Sequence, residues 1–454
     1  MSRRADRGGG PRTWGSAPRG IIGKEKANTH DVQDIQEQLA ALRQRVAKIN
    51  HKWAAAPATP RPALPLPTAS PRLFVEEYLT GEVVENEHGQ HFQTEKLYEH
   101  HKRYGSVDVG SLIELPHDLL SAISNGEVES ARPQEWAFLD TETTGLAGGS
   151  GTYAFLIGIG HITPGGFRVR QFFMRDYGEE KSQLAAVAQF LESFKVLVTY
   201  NGKSFDQPLL ETRYRMTRQK PPFARLQHLD LLHGARRLWK LRYDNCRLVE
   251  LENQVLGIER QGDLPGEMIP YVYFEYLRTK EAFRVVPILH HNVMDIATLA
   301  CLTSIVPWAF QGGAAAGGGG VRFQHGAELL GLARWLRRAG EWEQASALFR
   351  QSIDRGLKDA LLWPAMWDLA QAEKKLGRES ATVAVFTDLA ASPNPYRVDA
   401  YEELAKYFEH RERNHSMALE MTRCAMKYGN TPALQKREER LSKRAAQPRT
   451  RRLL

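Results

Sequence analysis

Apolar positions change their period three times along the chain, and each change marks a boundary. Val32, Ile35, Leu39, Leu42 and Val46 recur at three and four residues, which predicts one amphipathic helix over 31–52. Before it, residues 1–28 are rich in Arg, Gly and Pro without periodicity. After it, AAAPATPRPALPLPTASP (54–71) cannot hold a helix. Residues 1–72 are therefore read as a disordered, basic and Pro-rich N-terminus interrupted by that helix. From Leu73 the period falls to two. Residues 75–100 read as two strands around a turn at 87–89, with Val84 and Phe92 pointing inward. Alternation returns in WAFLD (136–140), YAFLIGIGHI (153–162), FRVRQFFM (167–174) and VLVTY (196–200). Leu184, Val187, Ala188, Leu191 and Phe194 place a helix at 180–194. Further helices are expected at 204–217, 226–239, 245–256, 270–281 and 292–309. Three strands, a helix and a fourth strand imply a mixed α/β sheet flanked by helices, one unit over 73–310.

GGAAAGGGG (312–320) predicts a flexible Gly-rich linker over 311–320. Beyond it every apolar pattern is helical. Ala333, Ala370 and Ala405 recur 37 and 35 residues apart, and small residues are needed where two helices of a hairpin approach closely. The period predicts stacked helix pairs over 321–436, with Trp363 and Trp367 in the repeat core, followed by a basic tail over 437–454.

Composition narrows the classes. Hydrophobic residues are 42% and charged residues 25%, which excludes a wholly disordered or collagen-like chain. Apolar runs are broken by Gly, Arg or Lys before the ~18–20 residues a membrane span needs, so no membrane association is expected. The three cysteines, Cys246, Cys301 and Cys424, are far apart and form no CxxC, so neither a disulfide framework nor a zinc–thiolate site is expected. The first residues lack the apolar core of a secretory signal, and a reducing, cytoplasmic setting is expected. A net charge of +8 suits a polyanionic partner. Arg213, Arg215, Arg218, Lys220, Arg236, Arg237, Lys240 and Arg242, interleaved with Trp239 and Tyr243, read as a track for single-stranded nucleic acid. No GxxxxGK[ST] is present, so a nucleoside triphosphatase has no support.

The sharpest chemical signal is DTETTGL (140–146). Side chains alternate on a strand, so Asp140 and Glu142 project to one side at the exit of an apolar strand. Two carboxylates there repel each other and resist ionisation. A divalent cation resolves that conflict, and hard oxygen ligands suit Mg²⁺ or Mn²⁺.

WAFLDTETTGL resembles the first exonuclease motif of the DEDD superfamily, which has the ribonuclease H-like fold. YNGKSFDQPLL (200–210) resembles the second motif, with Asp206 as its acid. HHNVMDIATL (290–299) resembles the third, with Asp295 as its acid. The pattern is similar to the YprB-like bacterial branch of ribonuclease H-like proteins, some of which carry a tetratricopeptide tail. The likeness covers about 136–310, and more loosely the array behind it. It implies that Asp140, Glu142, Asp206 and Asp295 hold two Mg²⁺ or Mn²⁺ ions. It further implies 3′–5′ exonucleolytic hydrolysis of single-stranded RNA or DNA with a free 3′ end as substrate. The tetratricopeptide-like repeats are in turn expected to offer a concave surface to a protein partner.

In the superfamily the general base is a His five positions before the last Asp or a Tyr four before it. This chain has His290 and His291 at those spacings and no Tyr. If a helix already runs through 291–295, His291 shares a face with Asp295. His290 is the alternative if it lies in a loop before that helix. An imidazole is a suitable acceptor for the proton of an attacking water. The likeness also implies that the turn with Thr143, Thr144, Gly145 and Leu146 packs against the terminal nucleotide. Gly148, Gly149 and Gly151 make the next loop pliable. Asn201 is read as holding a sugar or phosphate, Lys203 as neutralising a phosphate, and Asp230 as a site acid or a helix cap. Two other functions stay open: a non-catalytic scaffold that binds nucleic acid and protein, and a structure-specific endonuclease with the same metals.

Overall fold

The computed structural model describes residues 74–124, 126–145, 151–308 and 325–446. The predicted helix at 31–52, the Gly-rich linker and the basic tail beyond 446 lie outside them. Seven strands form one sheet: β1 (Gly81–Asn86), β2 (Gly89–Glu99), β3 (Trp136–Thr143), β4 (Ala154–Thr163), β5 (Gly166–Phe173), β6 (Val196–Thr199) and β7 (Gln227–Asp230), in the order β1-β2-β5-β4-β3-β6-β7. β1, β2, β5, β4 and β3 pair antiparallel in turn, and β6 and β7 extend β3 in parallel. The predicted helix at 226–239 is corrected at its start. QHLD pairs with β6 as β7, and the helix begins at Leu231. At the hairpin, Phe92 is fully buried but Val84 on edge strand β1 is only half-buried.

Strand β3 divides the core by its alternation. Ala137 and Leu139 pack with Leu184, Val187 and Leu191 of α1 (Glu180–Leu191) and with Leu210 and Tyr214 of α2 (Asp206–Met216). Trp136 and Phe138 face the opposite layer, with Ile296 and Ala300 of a long helix and Leu238 of α3 (Leu231–Trp239). After α4 (Ile269–Thr279), that long helix, α5, spans Val286–Trp308. The stretch Ala282–Ile305 is long and apolar enough to cross a membrane, contrary to the reading of its apolar runs as too short. It is 72% buried inside the fold, as a core helix is. Its close seat against β4 depends on Gly158, where an added Cβ would lie 2.1 Å from Asn292 Oδ1.

Seven helices follow: α6 (Gly326–Ala339), α7 (Trp342–Asp354), α8 (Asp359–Lys375), α9 (Glu379–Ala391), α10 (Arg397–His410), α11 (His415–Tyr428) and α12 (Pro432–Ala445). They make three hairpins and a terminal helix. Ala333, Ala370 and Ala405 are each fully buried in them, and Trp367 stacks on Tyr396 with ring centroids 5.3 Å apart. The array is not a separate bead on a tether. Leu330, Leu332 and Ala333 share one apolar core with Leu238 and Trp239. A Cβ on Gly331 would lie 2.5 Å from the Arg237 carbonyl oxygen, so α6 lies directly on α3. Arg242 pairs with Glu328 at 2.6 Å, and Arg237 stacks on Trp335 at 4.9 Å.

Candidate active site

The alternation that sorts the core also sorts the acids. Asp140 and Glu142 continue the Trp136–Phe138 face towards α5. Thr141 faces the other layer and donates from Oγ1 to Asp206 Oδ1 at 2.5 Å. Asp206 is the first residue of α2, so three acids reach the end of β3 from both sides of the sheet. That end lies beside the carboxyl ends of parallel strands β6 and β7, where α/β sheets place their ligands.

Asp140 Oδ2 accepts from Asn292 Nδ2 at 2.9 Å, and Asn292 Oδ1 accepts from Gln171 at 2.8 Å. Glu142 is 9% exposed, and no hydrogen bond or ion pair reaches its carboxylate from the described residues. Burial raises the Asp140 carboxyl well above its ordinary range, and the charges of Asp295 and Asp206 add to the rise. Burial does the same to Glu142, helped by Asp140, Asp295 and Asp206. Asp206 is pushed up to about 6 by burial, against the hydrogen bond from Thr141. One ligand atom each from Glu142, His291 and Asp295 lie within 4.8 Å of one another. Mutually repelling oxygen donors short of a counter-charge are a donor set that fits a hard divalent cation.

Both histidines fall inside α5, because it starts at Val286, six residues before the expected helix. His291 is buried on the Asp295 face, its Nε2 3.5 Å from Asp295 Oδ2. His290 is exposed and lies in the helix, so the loop position it would need as a base is absent. Thr143 Oγ1 donates to the Gly145 carbonyl at 2.8 Å, and Thr144 Oγ1 accepts from the Tyr153 N–H at 2.9 Å. These hydroxyls are engaged in the turn itself. Leu146, Gly148 and Gly149 lie outside the described residues. The N–H groups of Asn201 and Lys203 donate to Asp230 at 2.8 and 3.2 Å. Asp230 also caps α3 through the Leu232 N–H at 3.1 Å. It thus anchors the loop that delivers Asp206, with the Lys203 side chain exposed.

Residues 137–306 match a family model, RNase_H_2, described as RNase_H superfamily. The "Uncharacterized protein YprB" of Bacillus subtilis (strain 168) is 35% identical over 288 residues, 63% of this chain and 67% of that protein. The chain belongs to the RNase H superfamily. A nuclease is the activity this membership suggests.

Several residues of this RNase H-like site had no sequence signal. Asp263 holds His291 Nδ1 with both oxygens, at 2.8 and 3.0 Å. Burial would raise Asp263, but hydrogen bonds and charge from His291 and Arg260 outweigh it and hold the carboxyl low. Burial would lower His291, but Asp263 and Asp295 outweigh it and raise the imidazole. Arg260, with its side chain 4% exposed, donates to Asp295 Oδ1 at 2.5 Å, to Asp263 at 3.1 Å and to Glu252. Glu252 is fully buried and accepts from Tyr104 and Thr298, both at 2.6 Å. It sits in the π-turn 252–256, a local geometry common near functional sites. The run ERQGDLPG (259–266) carries Arg260 and Asp263 on a loop, where no hydrophobic period points inward.

The expected nucleic-acid track is largely absorbed by structure. Arg213 is buried against Glu180 at 2.5 Å, Arg215 pairs with Glu211 at 2.9 Å, and Trp239 is fully buried. Arg237 and Arg242 serve the array contact described above.

Proposed function

We propose that the protein is a metal-dependent 3′–5′ exonuclease of single-stranded nucleic acid, RNA or DNA. The observation that carries the reading is the convergence of Asp140, Glu142 and Asp206 with no ion pair to any of them from a cation among the described residues. Asp140, Glu142, Asp206 and Asp295 would hold two Mg²⁺ or Mn²⁺ ions, which when bound activate water and stabilise charge on the phosphoryl group. The chain's own residues do the rest. Water oxygen adds to the terminal phosphorus, and the bond from phosphorus to the penultimate 3′-oxygen breaks. His291 Nε2 takes the water proton, its ring fixed by Asp263 at Nδ1, and the leaving 3′-oxygen takes a proton from solvent. Asn292 fixes the Asp140 carboxylate. Thr143 and Gly145 shape the turn beside the terminal nucleotide. Phe205, 57% exposed and adjacent to Asp206, offers a face on which a base can stack. Asn201 and Lys203 border the entering phosphate.

One observation favours the non-catalytic reading: Arg260 already neutralises Asp295 Oδ1. A single assay decides between them. RNA and DNA oligonucleotides labelled at the 3′ or the 5′ end are incubated with the full chain and Mn²⁺ or Mg²⁺, beside D140A, H291A and H290A. The expected result is release of 3′-terminal mononucleotides. D140A abolishes it, H291A slows it about 10²-fold or more, and H290A stays within twofold of the unaltered chain. No cation-dependent product of any length would favour the scaffold, and internal cuts independent of ends would favour the endonuclease.

A further inference from the structure

We infer that an open cleft beside the Asp206 loop holds the phosphodiester backbone of the substrate strand as it leads away from the carboxylates. The inference takes the nuclease reading as its starting point. The cleft, of about 750 Å³, is lined by Tyr200, Asn201, Arg236, Lys240, Asp244 and Arg247 among others. Its rim at Asn201 belongs to the same loop as Lys203 and Asp206. Its floor is closed by Tyr200, whose hydroxyl donates to the Cys246 carbonyl.

The cations in this cleft differ from the basic residues beside them. Arg237, next to Arg236, is taken up by Trp335, and Arg242, two residues beyond Lys240, by Glu328. The side chains of Arg236, Lys240 and Arg247 are exposed and have no hydrogen bond or ion pair among the described residues. Arg236 and Lys240 stand four residues apart on a helix, a spacing at which like charges repel. Both side chains line the cleft together with Tyr200 and Cys246. Asp244 is the one carboxylate lining it, and it pairs with none of the three. A cationic surface that the fold neither pairs nor buries among the described residues, continuous with the loop that delivers Asp206, is complementary to a polyanion with regularly spaced charges. A polar, open cleft is unsuited to an apolar ligand.

The test is binding in EDTA, where no cleavage can occur. Fluorescence anisotropy of a labelled dT20 and rU20 is measured against the full chain, R236A/K240A, and a charge-matched control, K358A/K436A, on exposed array positions. R236A/K240A is expected to weaken binding about tenfold and to reduce the slope of log K against log salt by about 1.4, two contacts at about 0.7 each for single strands. The control leaves both unchanged. Equal affinity and slope in an R236A/K240A protein that melts at the temperature of the unaltered chain would overturn the inference. So would displacement of the strand by millimolar inorganic phosphate or AMP, which would make the cleft a small-anion site, or by poly-glutamate as readily as by dT20. If the unaltered chain binds through the cleft but cuts nothing with Mn²⁺, the nuclease reading fails and the cleft stands. If it cuts while R236A/K240A binds normally, the reverse holds.

Discussion

Glu409, in the helical array, is buried and met by Arg437 and Arg440 at 2.8 Å and by Arg444 at 3.2 Å. Glu373, also in the array, meets Arg350 at 2.8 Å and Ser346. Burial would raise Glu373, yet those partners hold its carboxyl low. Glu142, at the end of β3, is nearly as enclosed, and its neighbours are other acids that push it the opposite way. Desolvating a carboxylate is costly wherever it occurs. In the array the fold offsets that cost with its own guanidinium groups, and the result is structural. At β3 no such partner comes from the described residues, and under the proposed reading an incoming cation supplies the offset. Arg260 marks the border between the two designs, since it secures Asp295, Asp263 and Glu252 but stops short of Asp140, Glu142 and Asp206.

The largest effect expected from this contrast is that of Glu142→Gln. The amide keeps the shape and removes a charge that the cation-free fold disfavours. E142Q should melt at a higher temperature than the unaltered chain in EDTA, lose most of its nuclease rate, and gain less from Mn²⁺. A ligand that binds only the folded state stabilises by about 2.7 kcal/mol at a hundred times its Kd, so the lost gain is visible in a melt with and without the ion. An identical Mn²⁺-induced rise in both proteins would place the cation elsewhere.

Glu409→Ala is the matching experiment on the array, and its effect should be on stability alone. It leaves Arg437, 16% exposed, facing two further arginines without their acid. Breaking a buried pair costs roughly 3–5 kcal/mol. Arg440 and Arg444 are about half exposed and can rehydrate, so about 2 kcal/mol is expected in urea denaturation, with cleavage of short oligonucleotides retained. Lost cleavage in a folded E409A chain would mean that the array is part of the site.

What was legible in the sequence follows the same division. Asp140 and Glu142 could be read because a strand's period fixes their common side. Asp206 and Asp295 stood out through motif likeness. The start of α5 was missed although Pro287, in its second position, is a standard first-turn residue. That one boundary put His290 and His291 in the same helix and separated them by exposure. β7 was missed because four residues running straight into a helix carry too little period of their own. Arg260 and Asp263 were invisible because they act from a loop on partners 35 and 28 residues away. The basic track was over-read, since spacing alone does not tell an arginine stacked on Trp335 from one open to a ligand.

Buried histidines give the smallest and most separable test of the idea that the fold settles its own charges outside the site. Burial, reinforced by Arg175, lowers His91 to about 4, and burial, reinforced by Arg170, lowers His161 to about 4, against an ordinary 6.5. In each case the unfolded chain takes up a proton at a pH where the folded one does not. Stability is therefore complete above about 6.5 and declines as the pH falls towards 4. His161 is the better probe, because its Nδ1 has no hydrogen-bond partner among the described residues and its ring lies 5.3 Å from Phe190 and 5.7 Å from Phe194. His161→Phe keeps an aromatic ring there and removes the titration. At pH 7.5 the two proteins should differ only by a packing term that does not vary with pH. By pH 4.5 the variant should have gained about 2 kcal/mol on the unaltered chain, a two-and-a-half-unit shift at about 1.4 kcal/mol per unit, reduced for partial exposure. All other titrating groups, the site acids included, are common to both proteins and cancel in the difference. Parallel stability profiles from pH 7.5 to 4.5 would mean that His161 is protonated inside the fold, with the charge of Glu95 outweighing its burial.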